Sequence, residues 1–447
     1  MLLPRDFLCL LAPCLSSTTD DITVPSDFAE ETGRMDNNAL TTGQPQTRSA
    51  SRRGCWEIFL VALRLGLTSF GGPVAHLGFF HSEYVVRRKW LDEAAYADLV
   101  ALCQFLPGPA SSQIGIGIGL TRGGLPGGLA AWLGFTLPSA LAMIAFACGV
   151  AALGDVSHAG WLRGLKVAAV AVVAQAVWAM AVKLCPDRTR VTLALLAAIC
   201  VLAWPSSLGQ VLVIALGGAA GWFLFRRMET PPVSATLACT PSRAMGVAHL
   251  AAFFALLAAL PAAAAFFKSQ ALAYFDVFYR CGSLVFGGGH VVLPLLQTGV
   301  VPPGWVSNDT FLAGYGAAQA VPGPLFTFAA YLGAAMQSAP NGWAGGFLCL
   351  AAVFLPSWLL MVGAMPFWDA FRKKPAAQAA LKGTNAAVVG LLLAALYHPV
   401  WTSGIHDARE FILGLAAFGL LVFWERPAWL VVLLAAAGGW LMLTSAS

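Results

Sequence analysis

The stretch that decides the fold is QFLPGPASSQ, which runs from Gln104 to Gln113 and places Pro-Gly-Pro inside an otherwise apolar segment. The stretch QAVPGPLFTF, from Gln319 to Phe328, repeats Gln, Pro, Gly and Pro at the same spacing. In a membrane segment, two prolines around a glycine remove backbone donors and stop the helical hydrogen-bond ladder, so polar backbone is left without a partner. Such a break indicates a binding site.

The composition places the chain in a lipid bilayer. Its 447 residues are 58% hydrophobic and 11% charged, with a mean hydropathy of +0.74, whereas soluble domains have about 25% charged residues. The sequence therefore predicts an all-α polytopic membrane protein with no nucleic-acid partner. About 12 or 13 candidate segments of roughly 20 residues each have limits near 56–80, 95–121, 127–154, 165–184, 191–204, 208–225, 249–267, 272–298, 311–336, 343–368, 384–400, 410–424 and 427–444.

The placement of basic residues predicts the orientation. With a cytoplasmic N-terminus and crossings by all of these segments, roughly twice as many Lys and Arg residues fall in inside loops as in outside loops, which is the bias of cytoplasmic loops. The N-terminus is therefore predicted to be cytoplasmic. The cluster Arg87-Arg88-Lys89 falls outside in this arrangement and indicates that one of the first two broken segments is re-entrant.

Residues 1–54 are polar and contain no long apolar run, so they are predicted to form a disordered cytoplasmic leader, with Met35 as an alternative start. The 10 cysteines include no C-x-x-C spacing. Neither a disulfide framework nor a zinc site is predicted from them, and no cofactor or metal is expected.

The second half of the chain repeats the landmarks of the first. Arg280 follows Arg64 by 216 residues, and Pro322-Gly323-Pro324 follows Pro107-Gly108-Pro109 by 215. Shared order with nearly constant spacing indicates a duplication. The predicted units are a first repeat at 55–225, a linker with one extra membrane helix at 226–270 and a second repeat at 271–445. Further matched landmarks are Gly127-Gly128 with Gly345-Gly346, and Leu137-Pro138-Ser139 with Leu355-Pro356-Ser357.

Parity predicts that the two repeats are inverted. Seven candidate segments separate their starts, and an odd number of crossings gives opposite orientations. Inverted repeats with broken helices near the midplane, here at Phe-Gly-Gly and Pro-Gly-Pro, are the plan of many secondary transporters. The count changes if the Pro-Gly-Pro segments are re-entrant.

The Pro-Gly-Pro turns have the chemistry of an anion site. Pro109 and Pro324 are expected to begin the second half-helices, with Gly108 and Gly323 as caps. The amides of 110–112 and 325–327 then lack an intrahelical acceptor and favour an anion. The hydroxyl groups that add donors beside them belong to Ser111, Ser112 and Thr327. The alternative is a kink whose polar groups a neighbouring helix or water satisfies.

The second candidate group is formed by Arg64 and Arg280, each followed six residues later by Phe-Gly-Gly. An arginine within a membrane segment costs about 2.5–3.5 kcal/mol on insertion scales, so it is rarely kept without a partner, and its planar fork suits an oxyanion. Snorkelling of the arginine to the interface is the alternative. The glycines that open backbone near these arginines are Gly71, Gly72, Gly287 and Gly288.

Other polar residues of the broken segments are weaker candidates. Gln104 and Gln319 either donate amides to a ligand or cap carbonyls freed by the prolines. Glu57 and Asp276 either carry a coupling proton or pair with an arginine. His76 and His290 follow glycine breaks but are out of register, so packing explains them as well as coupling does.

At these residues the chain resembles the chromate ion transporter family in its long form with two homologous halves. The likeness covers about residues 55–445 and rests on four stretches, which are FGGP at 70–73, QFLPGP at 104–109 with the SSQIG that follows, FGGGHVVLP at 286–294 and QAVPGP at 319–324. The resemblance implies export of chromate from the cytoplasm by the proton-motive force, chromate resistance, and a location in a bacterial inner membrane. A homodimer is left open.

Several alternatives remain open at this point. Chromate and sulfate are both tetrahedral dianions, so amides and arginines alone separate them poorly, and a sulfate or other oxyanion transporter is the first alternative. A passive anion channel and a polytopic membrane enzyme are the others, although acidic residues and histidines are scattered here rather than clustered. The sequence has no G-x-x-x-x-G-K-[ST] motif, so ATP is not predicted as the energy source.

Overall fold

The computed structural model describes residues 52–70, 72–153, 159–204, 206–226, 241–286, 289–371 and 374–443, and these ranges are helical without any β-strand. The predicted leader lies almost entirely outside them. The helices are α1 Arg52–Thr68, α2 Gly72–Phe80, α3 Glu93–Phe105, α4 Ala110–Ala152, α5 Gly160–Leu184, α6 Arg188–Ala203, α7 Ser207–Phe225, α8 Arg243–Phe267, α9 Gln270–Leu284, α10 Val292–Val300, α11 Asn308–Ala318, α12 Phe328–Ala334, α13 Gly342–Ala364, α14 Trp368–Phe371, α15 Pro375–Ala395, α16 Thr402–Gly404, α17 Ala408–Val422 and α18 Ala428–Leu443.

Capping residues start equivalent helices of the two repeats at equivalent places. Asp92 accepts the Ala95 N–H at the start of α3, and Ser307 accepts the Thr310 N–H at the start of α11. Asp187 and Asp407 cap α6 and α17 in the same way. A side chain that accepts the amide three residues on satisfies one orphan donor of the first turn. The repeated pattern of caps confirms two homologous helical repeats.

Each repeat begins with a hairpin whose two arms flank the Phe-Gly-Gly sequence, called here the FGG hairpin. In the first repeat α1 and α2 form its arms, and Glu57 near the start of α1 pairs with Arg88 beyond α2 at 2.9 Å. In the second repeat α9 and α10 form the arms, and Gly299 lies against Val277. Residues far apart in sequence meet at the base, so the arms are antiparallel.

A second hairpin in each repeat, the PGP hairpin, has Pro-Gly-Pro at its tip. Its arms are α3 and residues 110–122 of α4 in the first repeat, where Leu99 lies against Gly117. In the second repeat they are α11 and α12, where the rings of Phe311 and Phe328 are 5.0 Å apart. A straight helix pair would hold these residues far apart, so the chain folds back on itself.

These hairpins correct the predicted count of crossings. The segments predicted at 56–80 and 95–121, and their counterparts at 272–298 and 311–336, begin and end on one side of a hairpin, so they are not the single straight crossings that were predicted. Five helices are long and apolar enough to span a membrane among the described residues. Seven predicted segments lie between the starts of the two repeats. Without the two that fold back, five remain, and this odd number still predicts opposite orientations.

Equivalent helices of the two repeats run in opposite directions, which confirms inverted repeats. Residues 125–152 of α4 correspond to α13; along this pair Gly128 meets Trp358, and Ile144 meets Gly346, so the order is reversed. The helices α5 and α15 are antiparallel as well, because the end of α5 shares a buried cluster with Ala386, whereas Lys166, nearer its start, lies against Gly404, which follows α15.

The repeats exchange their last helices. α17 and α18 of the second repeat pack on α5 of the first, and α6 and α7 of the first pack on α15 of the second. Glycines allow the closest approaches: a Cβ on Gly164 would lie 2.2 Å from the Ala435 carbonyl oxygen, and a Cβ on Gly383 would lie 2.1 Å from that of Gly217. Small residues at such crossings let membrane helices pack backbone to backbone.

We expect Gly164→Ala to destabilise the protein by about 1–3 kcal/mol, since the added methyl group has no room against the α18 backbone. Gly149→Ala is the matched control, because nothing lies within 4 Å of its Cβ position. The measurement is the melting temperature in detergent. Equal melting temperatures of the two variants would contradict the glycine-mediated exchange.

Candidate anion site at the crossed hairpin tips

The tips of the hairpins of opposite repeats are joined by two equivalent hydrogen bonds. The N–H of Gly108, in the first Pro-Gly-Pro turn, donates to the Val285 carbonyl at 2.7 Å, and the N–H of Gly323 donates to the Ser69 carbonyl at 2.9 Å. Ser69 and Val285 precede the two Phe-Gly-Gly breaks at equivalent positions. Each turn therefore satisfies a carbonyl at the broken helix of the other repeat.

The first tip, around Gly108, is built from both repeats. Gly108 has a φ of +122°, and a Cβ there would lie 2.3 Å from the Ser357 hydroxyl and 2.8 Å from the Gln113 amide nitrogen. Gln113 donates that amide to the Pro107 carbonyl at 2.7 Å. Gln113 thus caps a carbonyl freed by the prolines, one of the two roles considered for Gln104, which is exposed instead.

The second tip, around Gly323, has the same plan with different side chains. Gly323 has a φ of +98°, and a Cβ there would lie 2.9 Å from the Ser139 hydroxyl and 3.2 Å from the Phe135 carbonyl. His76 is buried and its Nε2–H donates to the Ser69 carbonyl at 3.2 Å. The Ser69 carbonyl therefore accepts hydrogen bonds from both His76 and Gly323.

The free amides beside the turns are distributed unequally. Pro109 and Pro324 are the capping residues and not the first helical residues, a one-residue correction to the prediction. At the first tip the Gln113 N–H makes the first intrahelical bond, to the Pro109 carbonyl, so the amides of 110–112 lack an intrahelical acceptor. At the second tip the Thr327 N–H and hydroxyl both donate to the Pro324 carbonyl, so the predicted free donors of Thr327 are wrong.

Four buried hydroxyl groups at the tips make no hydrogen bond within the described part of the chain. They belong to Ser69, Ser112, Thr136 and Ser357, each at most 1% exposed. Buried polar groups in proteins are nearly always hydrogen-bonded, so unpaired donors gathered around two turns mark a place for a polar ligand. Ser111 is buried beside them. Ser139 differs, because its hydroxyl donates to the Thr136 carbonyl at 3.1 Å.

Sequence reasoning missed most of these hydroxyl groups. The signal for Ser139 and Ser357 was the repeated Leu-Pro-Ser landmark, and Ser69 stands immediately before Phe-Gly-Gly. Gln113 lies in the first stretch quoted above. Nothing in the sequence pattern indicated Thr136.

The two arginines do not meet at one tip. Arg280 forms an ion pair with Asp276 one turn earlier on α9, at 2.5 Å. It also lines a small cavity of about 90 Å³ together with Thr298 and Cys281. Arg64 is exposed and forms no ion pair among the described residues. The glycines Gly71, Gly287 and Gly288 lie outside the described residues, while Gly72 begins α2.

Most of the remaining candidates have partners. Glu57 pairs with Arg88, as Asp276 does with Arg280, so both acids take the pairing role among their two predicted roles. His290 Nδ1 lies 2.8 Å from the Tyr315 hydroxyl. The amide nitrogen of Gln319 is buried without a partner in the described ranges.

The basic cluster at 87–89 belongs to the base of the first FGG hairpin. Arg88 donates to Glu83 at 2.7 Å and Arg87 donates to the same carboxylate at 3.0 Å. Burial raises the pKa of Glu83, but the hydrogen bonds and charges of the two arginines outweigh it and hold the pKa below its ordinary value. The carboxylate of Glu83 therefore stays ionised and forms ion pairs with Arg87 and Arg88.

Inverted helical repeats with broken segments that cross in the core are the architecture of secondary transporters, with the binding site at the repeat interface. The chain belongs to the chromate transporter family, whose sequence profile matches residues 56–222 and 272–440. It is 28% identical to the chromate transport protein of Pseudomonas aeruginosa over 86% of this chain and 92% of the relative.

Other relatives agree with this assignment. The chain is 27% identical to the probable chromate transport protein of Synechococcus elongatus, over 84% of this chain and 93% of the relative. It is 26% identical to the chromate transport protein of Cupriavidus metallidurans, over 86% and 92%. No solved structure matches the chain significantly.

We expect Gly108→Ala to abolish anion binding and to destabilise the protein, because its Cβ would occupy the position beside Ser357. Gly304→Ala is the matched control, since Gly304 also has a positive φ, of +76°, but nothing lies within 4 Å of its Cβ position. The control reports the cost of backbone strain alone, about 1 kcal/mol. Binding of chromate by purified protein is the measurement, and unchanged binding in Gly108→Ala would contradict the site.

Ser139, whose hydroxyl is hydrogen-bonded, and Ser357, whose hydroxyl is not within the described part of the chain, are expected to respond differently to replacement by alanine. Ser139→Ala removes a hydrogen bond and should cost about 1 kcal/mol of stability. Ser357→Ala removes a hydroxyl that has no partner among the residues that the structure describes, so it should leave the melting temperature unchanged and weaken anion binding about tenfold, as for one charge-assisted hydrogen bond. If Ser357→Ala bound the anion like the wild type, its hydroxyl would not face the ligand.

Proposed function

We propose that this protein is a secondary transporter that exports chromate from the cytoplasm, driven by the proton-motive force, and that it confers chromate resistance. The observation that carries the proposal is the reciprocal pair of hydrogen bonds between the Pro-Gly-Pro turns and the opposite broken helices. We place the chain in the inner membrane of a bacterium with its N-terminus in the cytoplasm. The family and the names of its relatives support chromate as the substrate.

The donor set at the first tip suits a tetrahedral oxyanion. The amides of 110–112 begin the helical arm that runs to residue 122, where the backbone breaks at Gly123 and Gly124, and they carry a partial positive charge. The hydroxyls of Ser112 and Ser357 supply two further donors that have no partner in the described protein. Neutral donors in a buried site bind a dianion by hydrogen bonds and dipoles, and they release it without a fixed counter-charge.

The site position suits alternating access. Gly108 and Gly323 are each bonded to the other repeat. Breaking the hydrogen bond at one tip while keeping the hydrogen bond at the other would open the shared core toward one side of the membrane. Because the repeats are inverted, the two choices open opposite sides, and rocking of one repeat against the other is how such carriers work.

The membrane potential favours the proposed direction. A dianion that moves outward across an inside-negative potential of 100 mV releases about 4.6 kcal/mol, at roughly 2.3 kcal/mol per charge. Export therefore needs no bound nucleotide. Arg64 and Arg280 would raise the local anion concentration along the hairpins, and for Arg280 this requires release from Asp276. Proton binding during the cycle is the coupling role proposed for Glu57, His76, Asp276 and His290, and for the two acids it requires release from Arg88 and Arg280.

The test is accumulation of chromate in everted membrane vesicles, with and without excess sulfate and with the proton gradient collapsed. We expect energised vesicles to accumulate chromate several-fold over vesicles lacking the protein, and Arg280→Gln to lower the initial rate at least tenfold while Arg280→Lys retains part of it. Replacing Lys382 by Gln is the control for general loss of positive charge.

Three outcomes would redirect the proposal. Complete competition by equimolar sulfate would indicate a general oxyanion carrier. Absence of trans-stimulation in counterflow would indicate a channel. No accumulation by a protein that reaches the membrane would overturn transport of chromate altogether.

A further inference from the structure

A cluster of charged side chains joins the two repeats far from the residues considered so far. Lys166 of α5 donates to the carboxylate of Asp309 on α11 at 3.0 Å. One turn away, Arg163 pairs with Glu410 of α17 at 2.8 Å. In both pairs the cation comes from the first repeat and the carboxylate from the second.

The exposure of the partners shows where this cluster lies. The Lys166 side chain is only 8% exposed, whereas that of Asp309 is 51% exposed. Asp407, which also lies near Arg163, is 47% exposed. The carboxylates of Asp309 and Asp407 therefore lie at the surface of the helix bundle, and that of Asp309 covers the inward-facing ammonium group of Lys166 from the outside.

The buried ammonium group needs an anion. Asp309 is its one hydrogen-bond partner among the described residues, although an ammonium group has three donors. Removing the counter-charge of a buried ion lowers the stability of the fold by far more than an exposed ion pair contributes to it. Any species that replaces Asp309 at Lys166 must therefore be an anion with acceptor oxygens.

Asp309 also lies at the base of the second PGP hairpin, where its ion pair holds the hairpin against the first repeat. It lies in the first turn of α11, and α11 leads to the PGP hairpin tip at Gly323. The neighbouring Asn308 donates to the Ser403 hydroxyl and holds the same end. The base of this hairpin is thus fastened to the first repeat by Lys166, while its tip is fastened to the first repeat at Ser69.

The inverted counterpart of this pair is missing. The position equivalent to Lys166, 219 residues later, is Asn385, and the position equivalent to Asp309, 215 residues earlier, is Ala94. Because the repeats are inverted, the equivalent positions lie at the opposite end of the bundle. Only one mouth therefore carries a buried lysine closed by a carboxylate.

We propose that Lys166 is an oxyanion subsite at one mouth of the transport path, where a tetrahedral dianion displaces the carboxylate of Asp309 and releases the base of the PGP hairpin. A dianion interacts with a cation about twice as strongly as a monoanion at the same distance, and a free oxyanion offers oxygens to all three ammonium donors. Arg163, three residues earlier on the same face of α5, is itself paired with Glu410 and Asp407, so Lys166 is the cation that the dianion would bind. The inference rests on the proposed transport of an oxyanion.

The test is calorimetric binding of sulfate, a dianion that does not oxidise thiols, to the purified full chain. Asp309→Asn removes the competing carboxylate and should tighten sulfate binding about fivefold, the factor expected for a partly exposed ion pair. Lys166→Gln should weaken it at least as much, while Lys166→Arg retains binding. Lys382→Gln, at the position equivalent to Arg163, is the matched control and should bind sulfate like the wild type.

Unchanged or weaker sulfate binding by Asp309→Asn, or wild-type binding by Lys166→Gln, would overturn the subsite. If Asp309→Asn does not fold, as judged by its melting profile, the difference in sulfate binding between Lys166→Arg and Lys166→Gln tests the subsite instead. Failure of the proposed transport is a different result, in which wild-type vesicles accumulate no chromate although the two Lys166 variants still differ in sulfate binding.

Discussion

The fold depends on two backbone hydrogen bonds that cross between the repeats, from Gly108 to Val285 and from Gly323 to Ser69. A helix that breaks inside a bilayer leaves carbonyl groups that water cannot reach, at a cost of several kcal/mol each. The backbone donor for each break comes from the turn of the other repeat. At Ser69 the side chain of His76, in the same repeat, adds a second donor.

The same arrangement explains the position and chemistry of the candidate site. A turn that must approach a carbonyl closely requires glycine, and the prolines on either side leave the next helix with free amides. Donors therefore gather where the two repeats meet. The proposed binding site is a by-product of the way in which the breaks are satisfied, and a position between inverted repeats is the one from which a carrier site opens to either side in turn.

Much of the fold was predictable from the sequence, because duplication is a matter of spacing. The match of Arg64 with Arg280 and of the two Pro-Gly-Pro turns located the repeats, and the odd count of segments gave their inversion. Periodicity could not show that the first two segments of each repeat fold back on themselves, since an apolar helix of 13 to 17 residues looks alike in a hairpin and in a crossing.

The site was less predictable than the fold. Glycine and proline are visible as breaks, whereas the partner of a break is set by tertiary contacts. Ser357 lies about 250 residues from Gly108 in sequence, a separation that no local pattern spans. The arginines drew attention because a charge is rare in an apolar segment, but Arg280 points to Asp276 on its own helix and Arg64 is exposed. The pair of Lys166 and Asp309 was invisible for the same reason as Ser357, since its members lie in different repeats.

The measurement that tests this account most directly is a structure of the protein with chromate bound, in which the anomalous scattering of chromium locates the ion. The account predicts a chromium peak at the first tip, with chromate oxygens within hydrogen-bond distance of the amides of 110–112 and of the Ser357 hydroxyl. A peak elsewhere in the bundle, with the tips unchanged and free of chromium, would contradict it.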